Sequence, residues 1–268
     1  MCGRYQLALP GRTLANLLDA ELAAVGVQPT WNAAPTQVLP VLGLASDGRR
    51  VLQGAEWGLV PGWARLPGRD LRPLINARSE TVVEKPAFRS AVRKGRILVP
   101  ATGFYEWQGP KGAKVPHLIR VKGAAIDEHL GTRLDRDAEP GEVAEPFLIA
   151  GFCEEWTTPD NVPELTFSII TTSPNELCET IHDRMPAILE GDDAQAWLEA
   201  PPEDTELVLD LLGPFPAERM EAWPVSRMVN DARRDGVELS LPSNDAGRAT
   251  DTVDLPEGAE APAEGQLF

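Results

Sequence analysis

The chain has 268 residues, 43% of them hydrophobic, and a formal net charge of -16. That length supports one large domain or two small ones with a real core. The acidity excludes an indiscriminate nucleic-acid binder, and no apolar run reaches the roughly 18 residues that a membrane-spanning helix needs.

In chain order, MCGRYQLALPGR has no charged start followed by an apolar stretch, so no signal peptide is predicted and the expected location is the cytoplasm. Residues 13–25, TLANLLDAELAAV, place apolar side chains at helical spacing behind a Thr13 cap and predict an amphipathic helix. QVLPVLGLA and RRVLQGAEWGLVPGW predict two strands joined by an Asp47-Gly48 turn. A second helix is predicted over 84–94, with Pro86 in its first turn and Gly95 as its stop. RILVPATGFYEW reads as a buried strand running into a turn, and HLIRVKG, EPFLIAGF, LTFSIITT and MPAILE as further strands. DDAQAWLEA and DTELVLDLL predict helices with acids at their N-termini. Many short strands with a few helices predict an α+β fold: a single domain with a curved, barrel-like, mostly antiparallel β core flanked by short helices. This domain is expected over 1–242. Residues 123–145 are polar and aperiodic and predict a surface insertion, and 243–268 predict an acidic, disordered tail.

Charge is unevenly spread. Residues 61–100 hold nine bases (Arg65, Arg69, Arg72, Arg78, Lys85, Arg89, Arg93, Lys94, Arg96) against Asp70, Glu80 and Glu84. Such asymmetry is compatible with a local phosphate-binding surface on an acidic body, although charge alone favours a solvated surface. Cys2, Cys153 and Cys178 are too few and too scattered for a disulfide framework or a zinc site, so no metal is expected.

Cys2 stands out by position. Removal of Met1 would leave an α-amine (reference pKa ~7.7–8.0) and a thiol (~8.5) on one residue, both partly nucleophilic near neutrality. Two chemistries follow. The amine can serve as base for the thiol in amide hydrolysis, or it can condense with an aldehyde so that the thiol closes a five-membered thiazolidine. INARSET puts Asn76, Arg78 and Glu80 on one face if extended. PATGFYEW sets Glu106 between aromatics, where desolvation would raise its pKa toward acid/base work. TIHDRMP pairs His182 with Arg184 two residues on. His117 and His129 are assigned no role.

MCGRY, WNAAPTQ, WGLVPGWA, INARSET, KPAFRSAV, LVPATGFYEW, TTSPNELCETIHDRMPAIL and VSRMVNDARRDGVEL occur collinearly from residue 1 to about 242. Together they resemble the SRAP family, the SOS-response-associated peptidase-fold proteins that sense abasic sites in DNA. The resemblance implies that Cys2 crosslinks to the ring-opened aldehyde of an abasic site in single-stranded DNA. It further implies that Asn76 holds the amine or the sugar, that Glu106 acts as general acid/base, and that His182 serves the deoxyribose oxygen. Arg4, Arg78 and Arg184 would grip phosphates, Trp63 and Trp107 would stack on bases, no cofactor would be needed, and the protein would act as a monomer. Lyase activity and thiol autopeptidase activity accompany that expectation. The alternatives are a thiol peptidase or amidohydrolase using Cys2, and a non-catalytic reader of modified or single-stranded DNA.

Overall fold

A computed structural model describes residues 2–23, 28–64, 73–122 and 146–243. The expected insertion at 123–145, the tail beyond Ser243, and Arg65, Arg69, Arg72 and His129 lie outside the described residues. In chain order the elements are β1 (Tyr5–Leu7), α1 (Gly11–Leu17), β2 (Glu21–Leu22), β3 (Thr30–Ala33), β4 (Val38–Leu44), β5 (Arg50–Trp57) and β6 (Asn76–Arg78). They continue with α2 (Ala91–Lys94), β7 (Arg96–Ala101), β8 (Gly103–Gln108), β9 (Val115–Val121), β10 (Phe147–Thr157) and β11 (Pro163–Thr172). The last are α3 (Glu176–Glu179), β12 (Met185–Pro186), β13 (Ile188–Leu189), α4 (Gly191–Glu199), α5 (Thr205–Asp210) and β14 (Met220–Pro224).

Five strands close on themselves. β5 pairs antiparallel with β4, β4 with β7, β7 with β10 and β10 with β11. β11 then returns to β5 in a parallel seam, Thr166↔Glu56 and Phe167↔Trp57. Closure removes the open edges that a flat sheet would expose to aggregation. The expected barrel-like, mostly antiparallel α+β domain is therefore what the chain forms. Leu42, Leu52, Trp57, Leu98, Phe152, Phe167 and Ile169 are buried within one apolar cluster, and Trp57 stacks on Phe167 with ring centroids 6.3 Å apart.

A second sheet, ordered β14-β9-β8-β1-β3, lies outside this ring. The two sheets are joined at Thr102, where the expected single strand over 96–107 divides into β7 and β8. The buried Thr102 hydroxyl accepts from Ala8 N–H at 3.1 Å, and Thr102 N–H donates to the Gln6 carbonyl at 2.8 Å. That corner fastens the N-terminal strand to the barrel.

Other expectations are refined by tertiary pairing. The β4–β5 hairpin turns at Gly48, whose φ of +84° is a left-handed conformation that glycine adopts without strain. The helix expected over 13–25 ends at Leu17, because Asp19 turns left-handed (φ +46°) and Glu21 and Leu22 pair parallel with β5. The helix expected over 84–94 forms only at Ala91–Lys94; the residues before it make successive turns, such as Phe88 N–H to the Lys85 carbonyl at 2.9 Å. Gly95 does stop it, donating to the Ala91 carbonyl at 2.7 Å. MPAILE splits into β12 and β13, which pair with different neighbours, β11 and β10. Glu80 leaves the β6 face and enters a 3-10 turn over Ser79–Thr81.

Candidate active site

Cys2 precedes β1, and β1 is held on both sides: Tyr5 pairs with Phe104 of β8 and with Ala33 of β3, and Tyr105 N–H donates to the Arg4 carbonyl at 3.0 Å. This framing buries Cys2 completely. Its backbone is gripped from the barrel by Asn76, whose Nδ2 donates to the Cys2 carbonyl at 2.7 Å. Asn76 is itself fixed because β6 runs parallel to β11, with Asn76 opposite Ile169. The Cys2 thiol contacts the Arg4 carbonyl at 3.7 Å.

Glu106 comes from β8 and is only 2% exposed. Burial raises its carboxyl above the ordinary carboxylate range, opposed in part by His182. Burial likewise pushes the Cys2 thiol far up, and the negative charge of Glu106 adds to that effect. His182 enters from the turn after α3, held by its N–H to the Cys178 carbonyl at 2.8 Å. Its Nε2 lies 3.9 Å from Glu106 Oε2. Its Nδ1 sits 3.1 Å from the Arg184 N–H and 2.9 Å from Asp183 Oδ1. A neutral imidazole can accept from the first or donate to the second, and the choice decides whether Nε2 carries a proton toward Glu106.

Chemically, the site combines a thiol kept protonated by its surroundings, a carboxyl biased toward its neutral form, and an imidazole able to exchange a proton with it. The four residues expected from sequence, Cys2, Asn76, Glu106 and His182, are thus brought together from four separate segments. Sequence reasoning passed over Cys178, whose thiol is pushed up to about 12 by burial and then by the charge of Glu106. Its spacing of four from His182, the one-turn i to i+4 relation, was the signal that could have found it.

The residues expected to contact DNA divide into two groups. Trp63 is 66% exposed and Arg78 is exposed on the end of β6. Arg4 is engaged internally: its Nη1 donates to Asn32 Oδ1 and to the Val229 carbonyl, each at 2.8 Å. Arg184 forms a two-pronged pair with Glu80 and donates to the Thr171 carbonyl at 2.6 Å. Trp107, next to Glu106, donates from Nε1 to Asn230 Oδ1 at 2.8 Å. Among the described residues no group of His, Cys, Asp or Glu is arranged to hold a metal ion, and no helix is long and apolar enough to cross a membrane.

The family model for SOS response associated peptidase (SRAP) matches residues 1–232. The chain belongs to the SRAP family. This SRAP chain is 36% identical over 244 residues to the abasic site processing protein YoqW of Bacillus subtilis, covering 89% of this chain and 98% of that protein. It is 34% identical over 227 residues to the abasic site processing protein HMCES of Gallus gallus, covering 80% of this chain and 66% of that protein. Among solved structures, a protein from Bacteroides thetaiotaomicron superposes with a TM-score of 0.71 at 25% identity, covering 88% of the SRAP chain and 98% of that chain. A second, from Bordetella bronchiseptica, shares the fold with a TM-score of 0.67 at 23% identity, covering 84% and 100%.

Proposed function

We propose that this SRAP protein processes abasic sites in DNA, trapping the ring-opened sugar as a thiazolidine on Cys2. What carries the proposal is the placement of residue 2, gripped through its own carbonyl by Asn76, beside the Glu106–His182 pair. The names of YoqW and HMCES support the same lesion as target.

The reaction begins once Met1 has been removed. The α-amine of Cys2 adds to the C1′ aldehyde, and the resulting carbinolamine loses water with Glu106 supplying the proton. Burial raises this carboxyl above its ordinary range, a shift toward the protonated form that suits it to that step. The Schiff base then receives the Cys2 sulfur at C1′: the thiol proton passes to Glu106, the C–S bond forms, and the C=N pair becomes the ring nitrogen's lone pair. Aldehyde plus aminothiol gives thiazolidine plus one water. His182 serves the ring oxygen as the sugar opens and exchanges its proton with Glu106. Asn76 holds the backbone of Cys2 so that the attack is intramolecular and aligned. Arg78 and Trp63 supply an exposed cation and an exposed ring for the phosphates and unpaired bases of single-stranded DNA, whereas Arg4, Arg184 and Trp107 are engaged with partners in the protein. The protein acts in the cytoplasm as a monomer without cofactor. Lyase cleavage would issue from the Schiff base before the sulfur closes.

The thiol's high pKa favours this reading over amide hydrolysis. A protonated thiol waits for an electrophile already tethered to its own amine and leaves other electrophiles alone. The test is incubation with single-stranded DNA containing one abasic site, followed by denaturing electrophoresis without borohydride. The wild type should give a shifted band and Cys2→Ala none; a persistent band in Cys2→Ala would overturn the proposal. Intact mass should show loss of Met1 and an adduct lighter than the sum of its parts by one water.

A further inference from the structure

Arg184 follows His182 by two residues, and its backbone N–H lies 3.1 Å from His182 Nδ1. Its guanidinium is tied to the strand beside Asn76: Nη2 donates at 2.6 Å to the carbonyl of Thr171, the residue paired with Arg78 across the β11–β6 ladder. A seat for an anion therefore lies at one end of β6, whose other end grips Cys2 through Asn76. Glu80 fills that seat. Its two carboxylate oxygens accept from Nη1 and Nη2 of Arg184, the second at 2.9 Å. The Arg184 bonds, and to a lesser degree the charge of Arg78, hold its carboxyl below the ordinary range.

The two partners are held unequally. The Arg184 side chain is 11% exposed and anchored to backbone, whereas the Glu80 side chain is 52% exposed. A fork of two parallel N–H bonds fits a phosphate as well as it fits a carboxylate. An ion pair with so exposed a partner contributes little to stability, so exchanging it costs little. The carboxylate also leaves the guanidinium incompletely served, because the buried Arg184 Nε has no acceptor among the described residues. We propose that Glu80 is an internal stand-in for a DNA phosphate: a backbone phosphate of single-stranded DNA displaces its carboxylate from Arg184, and Glu80 swings into solvent. This deepens, and rests on, the reading of the site as one that takes DNA. The competition weakens the hold on any strand and favours release of undamaged DNA, leaving retention to the covalent step at Cys2.

The experiment is Glu80→Gln, with Glu84→Gln as its control, since Glu84 is an exposed acid outside the pair. Affinity for an undamaged single-stranded oligonucleotide is read by fluorescence anisotropy across salt concentrations, alongside thermal melting. Glu80→Gln should tighten binding about fivefold, the scale of one exposed ion pair. Its salt dependence should steepen, because DNA then binds without freeing a carboxylate that takes up a cation. Glu84→Gln should change affinity by less than about twofold. Unchanged or weaker affinity in Glu80→Gln, as a purely structural brace predicts, would overturn the inference. Equal tightening in both variants would overturn it too, because net charge alone would then be at work. If the wild type fails to crosslink abasic DNA while Glu80→Gln still tightens binding, the thiazolidine reading falls and the exchange at Arg184 stands. If Glu80→Gln does not fold, Glu80→Asp keeps the charge and draws it back by one methylene. That variant should also bind more tightly, and unchanged or weaker affinity overturns the inference.

Discussion

Asn76→Ala separates positioning from stability, because the two atoms of its amide have opposite consequences. Loss of Nδ2 removes the 2.7 Å bond to the Cys2 carbonyl, a net cost of about 1 kcal/mol. Loss of Oδ1 removes a buried acceptor that has no partner among the described residues, returning roughly 1–3 kcal/mol. Side-chain truncation at a half-buried strand position then leaves overall stability within about 1 kcal/mol of wild type. The rate has no such compensation. A nucleophile displaced by ~1 Å loses on the order of a hundredfold in an aligned attack. Single-turnover crosslinking to single-stranded abasic DNA and urea denaturation, run on the same preparation, provide the comparison. The expected result is a large loss of rate with the denaturation midpoint nearly unmoved. A rate within threefold of wild type would refute the positioning role, as would a rate loss matched by an equal loss of stability.

Glu106→Gln should alter the pH dependence of stability. The native carboxyl is raised above its ordinary value of 4.5, so the folded state holds the proton more tightly than the unfolded state, and stability is lost as pH rises from that value. Melting curves across pH should show the glutamine variant gaining on wild type from pH 4.5 upward, while crosslinking falls. A constant difference between the two would refute it. Trp63→Ala removes an exposed ring, so melting should be unchanged within about 0.5 kcal/mol. Affinity for single-stranded DNA, measured by fluorescence anisotropy, should weaken by the ~1–3 kcal/mol of one stacked base.

Local signals located the parts of the fold that depend on local physics. Asp47-Gly48 specified a hairpin because a two-strand turn needs a left-handed residue, and Gly48 provides it. The helix over 13–25 was overextended because periodicity is blind to a distant strand: Glu21 and Leu22 are drawn into pairing with β5. The closed ring depends on the parallel seam between Phe167 and Trp57, about 110 residues apart in sequence, and no short-range pattern encodes it. The same division holds at the site. Cys2, Asn76, Glu106 and His182 were legible because each sits in a distinctive motif. The internal engagement of Arg4 and Arg184 was not, since an arginine's partner depends on which carbonyl or carboxylate folding brings beside it.

The bond from Arg4 to the Val229 carbonyl, with Asn32 donating to the carbonyls of Asp231 and Arg234, bears on how the protein is made. A ribosome delivers residue 4 long before residue 229, so the strand that frames Cys2 lacks its outer support until residue 229 follows. Contacts of such long sequence separation form late in folding. Residue 2 is therefore framed on its outer side only after residues 229–234 have emerged, and products truncated before them would carry Cys2 without that support.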